Sequence, residues 1–488
     1  MTANPQTLQP EKVFHYFYKI SSIPHGSYHT EALAAYCLDV AKQFGVPAYQ
    51  DGAGNVIATI DATPGHESAE PVVLQGHLDM VCEKEDGHPH NFEKDPLNLI
   101  VDGDYLHADR TTLGGDDGIA VAMCLALMSE KDTIVHPETI IVLTVEEEVG
   151  MDGAYALDPD VFDGAKRLIN IDSEEEGIAT MGCAGGAEMD LSFPITRMDA
   201  PGMIVGLTVG GLAGGHSGMS IERYGYNADI LLGNILFSLG KEIHFQIADL
   251  AGGNKVNAIP QTAKAYIIIN PADREKLGLV LSKLQATCRN SAQQDDKDLF
   301  ISARFGDMGT YDVMDAESKK RCLMALNMMP DGVQSMNRFL PEKVHTSLNL
   351  GIMKTAEDTF TLITHLRSHD DDDRLLLGDK IEAFTKYLGG SAVVTGIYPA
   401  WIPKTDSMLY TVMNTENQKL FGKPLMIDIT HGGLECALFA KKCPEIDIVS
   451  VGPNILDIHT PRERLSISST ERVWQLITSS LDALANES

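Results

Sequence analysis

The chain is 488 residues long. A single hydrophobic core does not usually support a chain of this length, so we expect two domains. Its 38 Lys and Arg against 69 Asp and Glu give a formal net charge of −31, which argues against nucleic acid and anionic membrane as partners. We find no signal peptide, no membrane span and no Cys-x-x-Cys pair among the 8 cysteines, and therefore expect a cytoplasmic protein with reduced thiols.

The first third of the chain alternates helical and strand-like patterns. Apolar periodicity predicts helices over 10–20, 29–44 and 118–128, and short apolar runs predict strands over 56–60, 71–76, 139–145 and 167–171. This alternation predicts an α/β fold in which a mostly parallel sheet is flanked by helices. In such folds, ligand groups lie at the carboxyl ends of the strands.

The pattern changes after the glycine-rich segment 182–186, which is typical of a hinge. The strands predicted beyond it are 204–209, 264–269 and 359–366, and the predicted helices are 228–239, 274–286 and 375–388. This mixture predicts an inserted α+β lid domain over 187–395. The catalytic domain is then discontinuous, over 1–186 and 396–488.

The α/β pattern resumes beyond Gly396. Strands are predicted over 423–429 and 446–451, followed by a final helix. Ser468 and Glu471 have the spacing of a capping box and are expected to begin that helix.

His77 and Asp79 lie two residues apart where the apolar run 71–74 ends. Side chains at i and i+2 of a strand point the same way. The imidazole can therefore ligate a metal while the carboxylate accepts a hydrogen bond from its other ring nitrogen. A structural histidine beside a surface aspartate is the commoner arrangement. The hypothesis of a metal site therefore depends mainly on the motifs that follow.

Two aspartates occupy similar positions further along. Asp116 lies in the glycine-rich segment 112–118, where it can either cap the next helix or bridge two metal ions. Asp172 follows an apolar strand, and we expect the acidic run 173–176 after it to be exposed.

Glu146, Glu147 and Glu148 follow another apolar strand. Packing three carboxylates together there is costly unless cations neutralise them. One of them can ligate a metal ion while its neighbour acts as a general base.

His459, after a late strand and loop, completes the set, although most of the 16 histidines must be ordinary surface or core residues. Two imidazoles with several carboxylates suit zinc, and also cobalt or manganese. Two such ions, roughly 3.5–4 Å apart, can activate water and polarise a carbonyl group.

With these motifs in order, the sequence resembles the M20 metallopeptidases, and within them the Xaa-His dipeptidase branch. The resemblance covers essentially the whole chain. It rests on the segments 76–80, 111–114, 147–154, 172–177, 181–186, 214–218 and 431–436. It implies a two-metal catalytic domain with a lid domain, and a small peptide substrate.

The resemblance also assigns roles around the metal ions, with zinc favoured. The implied ligands are His77 and Asp172 for one ion, Glu148 and His459 for the other, and Asp116 as the bridge, with a cis peptide bond after Asp116.

The same resemblance implies that Asp79 orients His77 and that Glu147 is the general base acting on water. The segment 150–153 after the glutamates favours Glu147 and Glu148 as the functional pair. A shift to Glu146 and Glu147 is the alternative.

Three residues of the predicted lid domain resemble substrate-binding residues of the family. His216 resembles a histidine that stabilises the oxyanion. Asn257 resembles a substrate-contacting asparagine, and Arg367 resembles the arginine that grips the substrate's carboxylate. For Arg367, a salt bridge to the acidic run 370–373 is the alternative. His431 and Glu435 belong to a branch motif without an assigned role.

The function expected from this set is hydrolysis of unblocked dipeptides, including Xaa-His dipeptides such as carnosine. An aminotripeptidase and an N-acyl amino acid deacylase would use the same metal chemistry. A non-catalytic binding protein on this fold is the third alternative. The resemblance is also compatible with a homodimer formed through the lid domain.

Overall fold

The chain forms two compact units. The computed structural model describes residues 8–223, 225–292, 294–338 and 340–487. The first unit lies within 1–182, 401–429 and 434–488, and the second within 183–400 and 430–433. In the ranges described, every helix is too short or too polar to span a membrane. The catalytic and lid roles expected for the two parts stay predictions.

The N-terminal part of the first unit alternates helices and strands. The helices are α1 (Glu11–Ser21), α2 (Glu31–Gln43), α3 (Gly115–Glu130) and α4 (Asp152–Ala156). The strands are β1 (Ala48–Gln50), β2 (Val56–Ile60), β3 (Val72–His77), β4 (Leu99–Asp102), β5 (Tyr105–Ala108), β6 (Thr139–Thr144), β7 (Arg167–Asn170) and β8 (Ile178–Cys183). Every residue of β3 and β6 is buried, including Gln75 and His77, which follow the apolar run at the start of β3.

The second unit consists of long strands and four α-helices in the part of the chain described. The helices are α5 (Ala228–Leu239), α6 (Arg274–Ser291), α7 (Ala316–Met328) and α8 (Asp371–Tyr387). The strands are β9 (Gly185–Pro194), β10 (Arg197–Gly210), β11 (Gly215–His216), β12 (Phe245–Gly252), β13 (Ala258–Ile259), β14 (Ala263–Ile269), β15 (Phe300–Met314), β16 (Gly332–Met336), β17 (Val344–Thr355), β18 (Thr359–Ser368) and β19 (Ser391–Tyr398).

The C-terminal part returns to the first unit. Its helices are α9 (Met408–Phe421), α10 (Cys436–Lys442) and α11 (Ile467–Ala485), and its strands are β20 (Met426–Thr430), β21 (Asp447–Ser450), β22 (Ile455–Leu456) and β23 (Arg464–Ser466). Ser466, not Ser468, caps α11, because its hydroxyl accepts a hydrogen bond from the Ser469 backbone. The hydroxyls of Ser466 and Ser468 both donate to Asp104.

The first unit is built on an eight-stranded sheet with the order β1-β2-β6-β3-β7-β21-β8-β20. Its four central strands, β6, β3, β7 and β21, are parallel. Strands β1 and β2 at one side, and β8 next to β21, pair antiparallel. The α/β prediction is therefore confirmed, with the parallel pairing confined to the centre of the sheet.

The second unit is built on a nine-stranded antiparallel sheet. Eight strands follow the order β15-β10-β14-β12-β17-β18-β9-β19, and β16 pairs with β17 outside that path. Helices α5 and α7 contribute apolar side chains to the core beneath this sheet. The α+β character predicted for this part of the chain is confirmed.

Candidate metal centre and substrate-binding residues

Three predicted ligands follow neighbouring parallel strands. Strand β3 ends at His77, which pairs with Thr144 at the end of β6, so Glu148 follows in the next turn. Strand β7, on the other side of β3, ends two residues before Asp172. Because parallel strands present their carboxyl ends at one edge, His77, Glu148 and Asp172 come together there.

Asp116 lies between the two predicted histidine ligands. His77 Nε2 is 3.1 Å from Asp116 Oδ1, and His459 Nε2 is 3.1 Å from Asp116 Oδ2. The peptide bond between Asp116 and Asp117 is cis, as the resemblance implies. Because its two oxygens face different imidazoles, Asp116 has the arrangement that a bridging carboxylate requires.

The two remaining predicted ligands lie on opposite sides of Asp116. His77 Nε2 is 3.6 Å from Asp172 Oδ1, and His459 Nε2 is 3.0 Å from Glu148 Oε2. The five predicted ligands therefore form a continuous cluster in the first unit. Their assignment to individual metal ions stays a prediction.

Asp117 is a further carboxylate at this place. Ligand atoms fall within 4.8 Å of one another in the set His77, Asp116 and Glu148 and in the set His77, Asp117 and Asp172. Asp117 Oδ2 accepts a hydrogen bond from the backbone N–H of His77. It would also lie 2.6 Å from a Cβ at position 76, so Gly76 leaves room for α3 against β3.

The charges of this cluster fit divalent cations. Among the described residues, the ion pairs of Asp116, Glu148 and Asp172 involve only His77 and His459. Burial raises the pKa of Glu148, and the charge of Asp116 adds to the rise. Burial also raises the pKa of Asp172. Metal ions would supply the positive charge that lets these buried carboxylates ionise together.

Asp79 holds the turn that carries the predicted general base. Its carboxylate accepts hydrogen bonds from the backbone N–H groups of Glu147 (3.0 Å) and Glu148 (3.3 Å) and from the hydroxyl of Ser27. His77 Nδ1 is 3.0 Å from the main-chain oxygen of Asp79 and 3.5 Å from its carboxylate. Asp79 lies beyond the end of β3, so the strand geometry expected for this pair is wrong, although the two residues remain in contact.

The three consecutive glutamates have different surroundings. Glu146 has a positive φ of 59° and accepts a hydrogen bond from the backbone of Tyr28 at 2.6 Å. Burial raises the pKa of Glu147 well above its usual range, although the charge of His77 opposes the rise. Glu147 and Glu148 therefore adjoin the cluster, while Glu146 is engaged elsewhere.

Sequence analysis missed Glu463, which lies four residues after His459. Its carboxylate accepts hydrogen bonds from the backbone N–H groups of Leu113 (2.8 Å), Gly115 (2.7 Å) and Gly114 (3.3 Å). These residues immediately precede Asp116. A carboxylate that binds main-chain donors carries no motif or periodicity by which the sequence could have revealed it.

The acidic run after Asp172 is not uniformly exposed, contrary to expectation. Glu174 is partly buried, and burial together with the charges of Asp116 and Asp172 raises its pKa. Glu176 pairs with Arg472 at 2.7 Å, and only Glu175 is exposed.

Glu435 is buried below the ends of two central strands. Its Oε2 accepts hydrogen bonds of 2.6 Å from both Gln75 and Thr144. Burial raises its pKa to about 8. Glu435 therefore belongs to the first unit, whereas His431, four residues earlier, belongs to the second.

The predicted lid residues lie near one another within the second unit. His216 Nδ1 accepts hydrogen bonds from the backbone of Gly218 (3.1 Å) and Met219 (3.2 Å), which places the proton of a neutral ring on Nε2. A Cβ at position 218 would lie 3.1 Å from the His216 ring and 3.3 Å from the Arg367 guanidinium carbon. Asn257 is exposed, and its main-chain oxygen accepts a hydrogen bond from the backbone N–H of Ser217.

Arg367 is a buried cation without a carboxylate partner among the described residues. Its Nη1 donates to the Tyr398 hydroxyl at 2.8 Å and to the His431 main-chain oxygen at 3.4 Å. Its Nε has no partner in the part of the chain described. Burial and neighbouring positive charges lower the pKa of His365 well below its usual range and that of His431 to about 2. An incoming carboxylate would therefore be the counter-ion of Arg367.

The acidic run 370–373 does not neutralise Arg367. Asp370 caps α8, Asp371 pairs with Arg374 at 3.2 Å, and Asp373 pairs with His345 at 3.0 Å. The salt-bridge alternative for Arg367 is therefore absent from the ion pairs of the described residues.

Comparison with known proteins gives similarities along nearly the whole chain. A family model described as peptidase family M20/M25/M40 matches residues 73–483. The cytosol non-specific dipeptidase of Escherichia coli (strain K12) is 36% identical over 475 residues, which cover 96% of this chain and 97% of that protein.

Solved structures agree with this. The crystal structure of aminoacylhistidine dipeptidase from Vibrio alginolyticus has a TM-score of 0.87 and 34% identity, and covers 99% of this chain and 98% of that chain. Aminopeptidase PepT from Bacillus cereus has a TM-score of 0.57 at 16% identity, covering 98% of this chain and 100% of that chain, and shares the fold.

Proposed function

The chain belongs to the peptidase family M20/M25/M40, and we propose that it is a metal-dependent dipeptidase acting on unblocked dipeptides. The observation that carries the proposal is the placement of Asp116 between His77 and His459. Identity of 36% to a protein named a dipeptidase supports the substrate class.

The proposed ligands are those of the cluster: His77 and Asp172, Glu148 and His459, and Asp116 between them. We propose zinc as the metal, with cobalt and manganese as alternatives that offer similar ligand preferences. Two bound ions would supply Lewis acidity toward the scissile carbonyl and toward water.

Glu147 is the proposed general base. It takes a proton from the attacking water and delivers it to the leaving amine. Burial alone favours the protonated form of this carboxyl group, and the positive charge of bound metal ions would favour the ionised form that accepts the proton. Asp79 fixes the backbone of Glu147 and thereby acts as a positioning residue.

In the second unit, His216 is the proposed donor to the oxyanion, in its own chain or in a partner chain. Its backbone contacts at Nδ1 place the proton of the neutral ring on Nε2, which is the tautomer that a donor to the oxyanion needs. Arg367 binds the substrate's terminal carboxylate, and Asn257 contacts the substrate. A preference for Xaa-His dipeptides such as carnosine is part of the proposal.

The proposed domain roles, localisation and partners are based on the same family membership. We propose that 1–186 and 396–488 form the catalytic domain and that 187–395 form the lid domain. We also propose a cytoplasmic protein that forms homodimers through the lid domain and binds neither nucleic acid nor membrane.

The test is hydrolysis of a small substrate panel by the metal-loaded protein, with and without a chelator. The panel contains carnosine, Ala-His, Gly-Gly, a tripeptide and an N-acetyl amino acid. Chelator-sensitive cleavage confined to the free dipeptides is the expected result. Cleavage of only the tripeptide or the acetylated compound would reassign the substrate class. No cleavage of any compound at full metal occupancy would favour a binding protein.

Two adjacent substitutions measured on the same panel test the general base. Glu147→Gln should lower kcat by roughly 10²–10⁴-fold and leave the metal content unchanged, because it removes only the proton acceptor. Glu146→Gln is the matched control, since Glu146 contacts the Tyr28 backbone instead. A large loss in Glu146→Gln with an active Glu147→Gln would shift the assignment by one residue.

A further inference from the structure

A cavity within the second unit is lined by cations although the chain is strongly acidic. It has a volume of 350 Å³ and lies among the end of α5, the start of β12 and α7. Lys241, His244, Lys319 and Lys320 line it, and the described lining residues include no Asp or Glu. The chain as a whole has 69 Asp and Glu against 38 Lys and Arg, so a cavity lined by basic and not by acidic residues departs from the composition of the chain.

Two of the ammonium groups rest on aromatic rings. Lys241 Nζ is 4.8 Å from the centroid of Phe237, and Lys319 Nζ is 4.0 Å from that of Phe245. Lys319 also donates to the main-chain oxygen of Phe245. These contacts hold the cations in place, but an aromatic ring or a main-chain oxygen does not neutralise their charge.

Glu242, which follows Lys241 directly in the sequence, forms its ion pair with a lysine outside the cavity lining. It faces Lys276, whose Nζ is 3.8 Å from the Glu242 carboxylate. In the part of the chain described, none of the three cavity lysines forms an ion pair. No carboxylate of the described residues therefore pairs with a cavity lysine within 4 Å.

Apart from Gln246, the remaining side chains of the lining are apolar. Phe237, Leu323 and Met324 contribute hydrophobic surface to the same cavity. Volumes of about 300–1,000 Å³ are typical of small-molecule sites, in which apolar walls supply affinity and a few charged groups fix orientation.

We propose that this lysine-lined cavity binds a small organic anion with an apolar or aromatic body. The body would pack against Phe237, Leu323 and Met324, and a carboxylate or phosphate head would face Lys241 and Lys320. The cavity consists of second-unit residues and shares none with the proposed metal cluster, so the inference is independent of the proposed peptidase activity.

Calorimetric titration of the metal-loaded protein with 1-naphthyl phosphate tests the proposal. We expect saturable binding that weakens as NaCl is raised, since the head group pairs with lysines. The uncharged 1-naphthol should bind at least tenfold more weakly. Equal affinity for 1-naphthol, or no saturation up to about 1 mM naphthyl phosphate, would overturn the proposal.

Paired substitutions locate the binding. Lys241→Gln with Lys320→Gln should weaken naphthyl phosphate at least tenfold and leave dipeptide hydrolysis unchanged. Lys264→Gln with Lys354→Gln, two exposed lysines on β14 and β17, removes the same charge as the matched control and should keep the affinity within twofold. Equal affinities in the two double variants would place the binding elsewhere and overturn the proposal.

Discussion

Glu463 connects the segments that carry two of the proposed metal ligands. It follows His459 by four residues, and its carboxylate binds the backbone N–H groups of Leu113, Gly114 and Gly115, just before Asp116. Burial and the charge of Asp116 raise its pKa to about 7, although the three backbone donors oppose the rise. The residue therefore holds the loop of Asp116 in place relative to the loop of His459.

The substitution Glu463→Gln should weaken metal binding by roughly 10–100-fold, the usual effect of losing a group that orients a ligand. The amide offers one acceptor instead of two and turns an NH₂ group toward backbone donors. Metal content after dialysis against a zinc buffer measures the change directly. The exposed Glu445 provides the control variant Glu445→Gln, and equal zinc retention in the two variants would show that Glu463 does not orient the ligands.

Residues with a local sequence pattern could be predicted, and residues defined by tertiary contacts could not. His77, Asp116 and Asp172 are recognisable because each follows an apolar run or a glycine-rich turn. Glu463 and Glu174 lack such a context, since their burial depends on segments distant in sequence. The structure brings the predicted ligands together, and their roles stay predictions.

At the scale of elements, the start of α5 is tied to the adjoining sheet by a buried polar network. Asn227 caps α5 through its side-chain oxygen and donates to the main-chain oxygen of Leu350. Asp331 Oδ1 accepts from the Leu350 backbone at 2.8 Å, while its Oδ2 is buried without a partner among the described residues. Burial raises the pKa of Asp331 to about 7.

This network predicts a pH-dependent effect of Asp331→Asn. Between the unfolded pKa of 3.8 and about 7, folded Asp331 keeps a proton that the unfolded chain has released, so the wild type loses stability as pH rises. The variant lacks this loss. Between pH 5 and pH 7 its free energy of unfolding should therefore rise by roughly 2 kcal/mol relative to that of the wild type. The melting temperatures of both proteins at pH 5 and pH 8 measure the gain.

Asp307→Asn serves as the control for that experiment, because Asp307 is an exposed residue on β15. Its melting temperature should follow that of the wild type at both values of pH. If Asp331→Asn also follows the wild type, the carboxyl group of Asp331 does not carry the proposed proton at neutral pH.

Element prediction succeeded where local signals agree and failed where a distant partner decides. Helix α5 occupies its predicted bounds because Asn227 caps an apolar run that ends before Gly240. Helix α11 begins two residues earlier than its predicted cap implies: the hydroxyls of Ser466 and Ser468 both donate to Asp104, and the Ser466 hydroxyl also accepts from the Ser469 backbone. No pattern within the helix itself reveals Asp104.

At the scale of the whole molecule, the class of each sheet followed from the sequence but the strand order did not. Alternating helices and strands predict parallel pairing, which holds for β6, β3, β7 and β21. Strand β21 lies far along the chain from β7, its neighbour, and this pairing depends on the return of the chain after the second unit. Local periodicity contains no information about that return.

The net charge of −31 is also a property of the whole molecule, and it predicts a response to salt. Like charges repel one another in the compact state and separate on unfolding, so the repulsion lowers the melting temperature. The screening length falls from about 30 Å at 0.01 M salt to about 10 Å at 0.1 M, which removes most of the repulsion between distant surface charges. The metal-loaded protein should therefore melt at a higher temperature in 0.1 M than in 0.01 M NaCl.

Sucrose at matched osmolality is the control, because it changes the solvent without screening charge. A melting temperature that stays constant or falls between the two salt concentrations would mean that local ion pairs, such as Arg472 with Glu176, outweigh the repulsion. Such pairs at the surface typically contribute only about 0–1 kcal/mol each, whereas the excess of 31 negative charges acts on the entire chain. The net repulsion should therefore dominate, and salt should stabilise the fold.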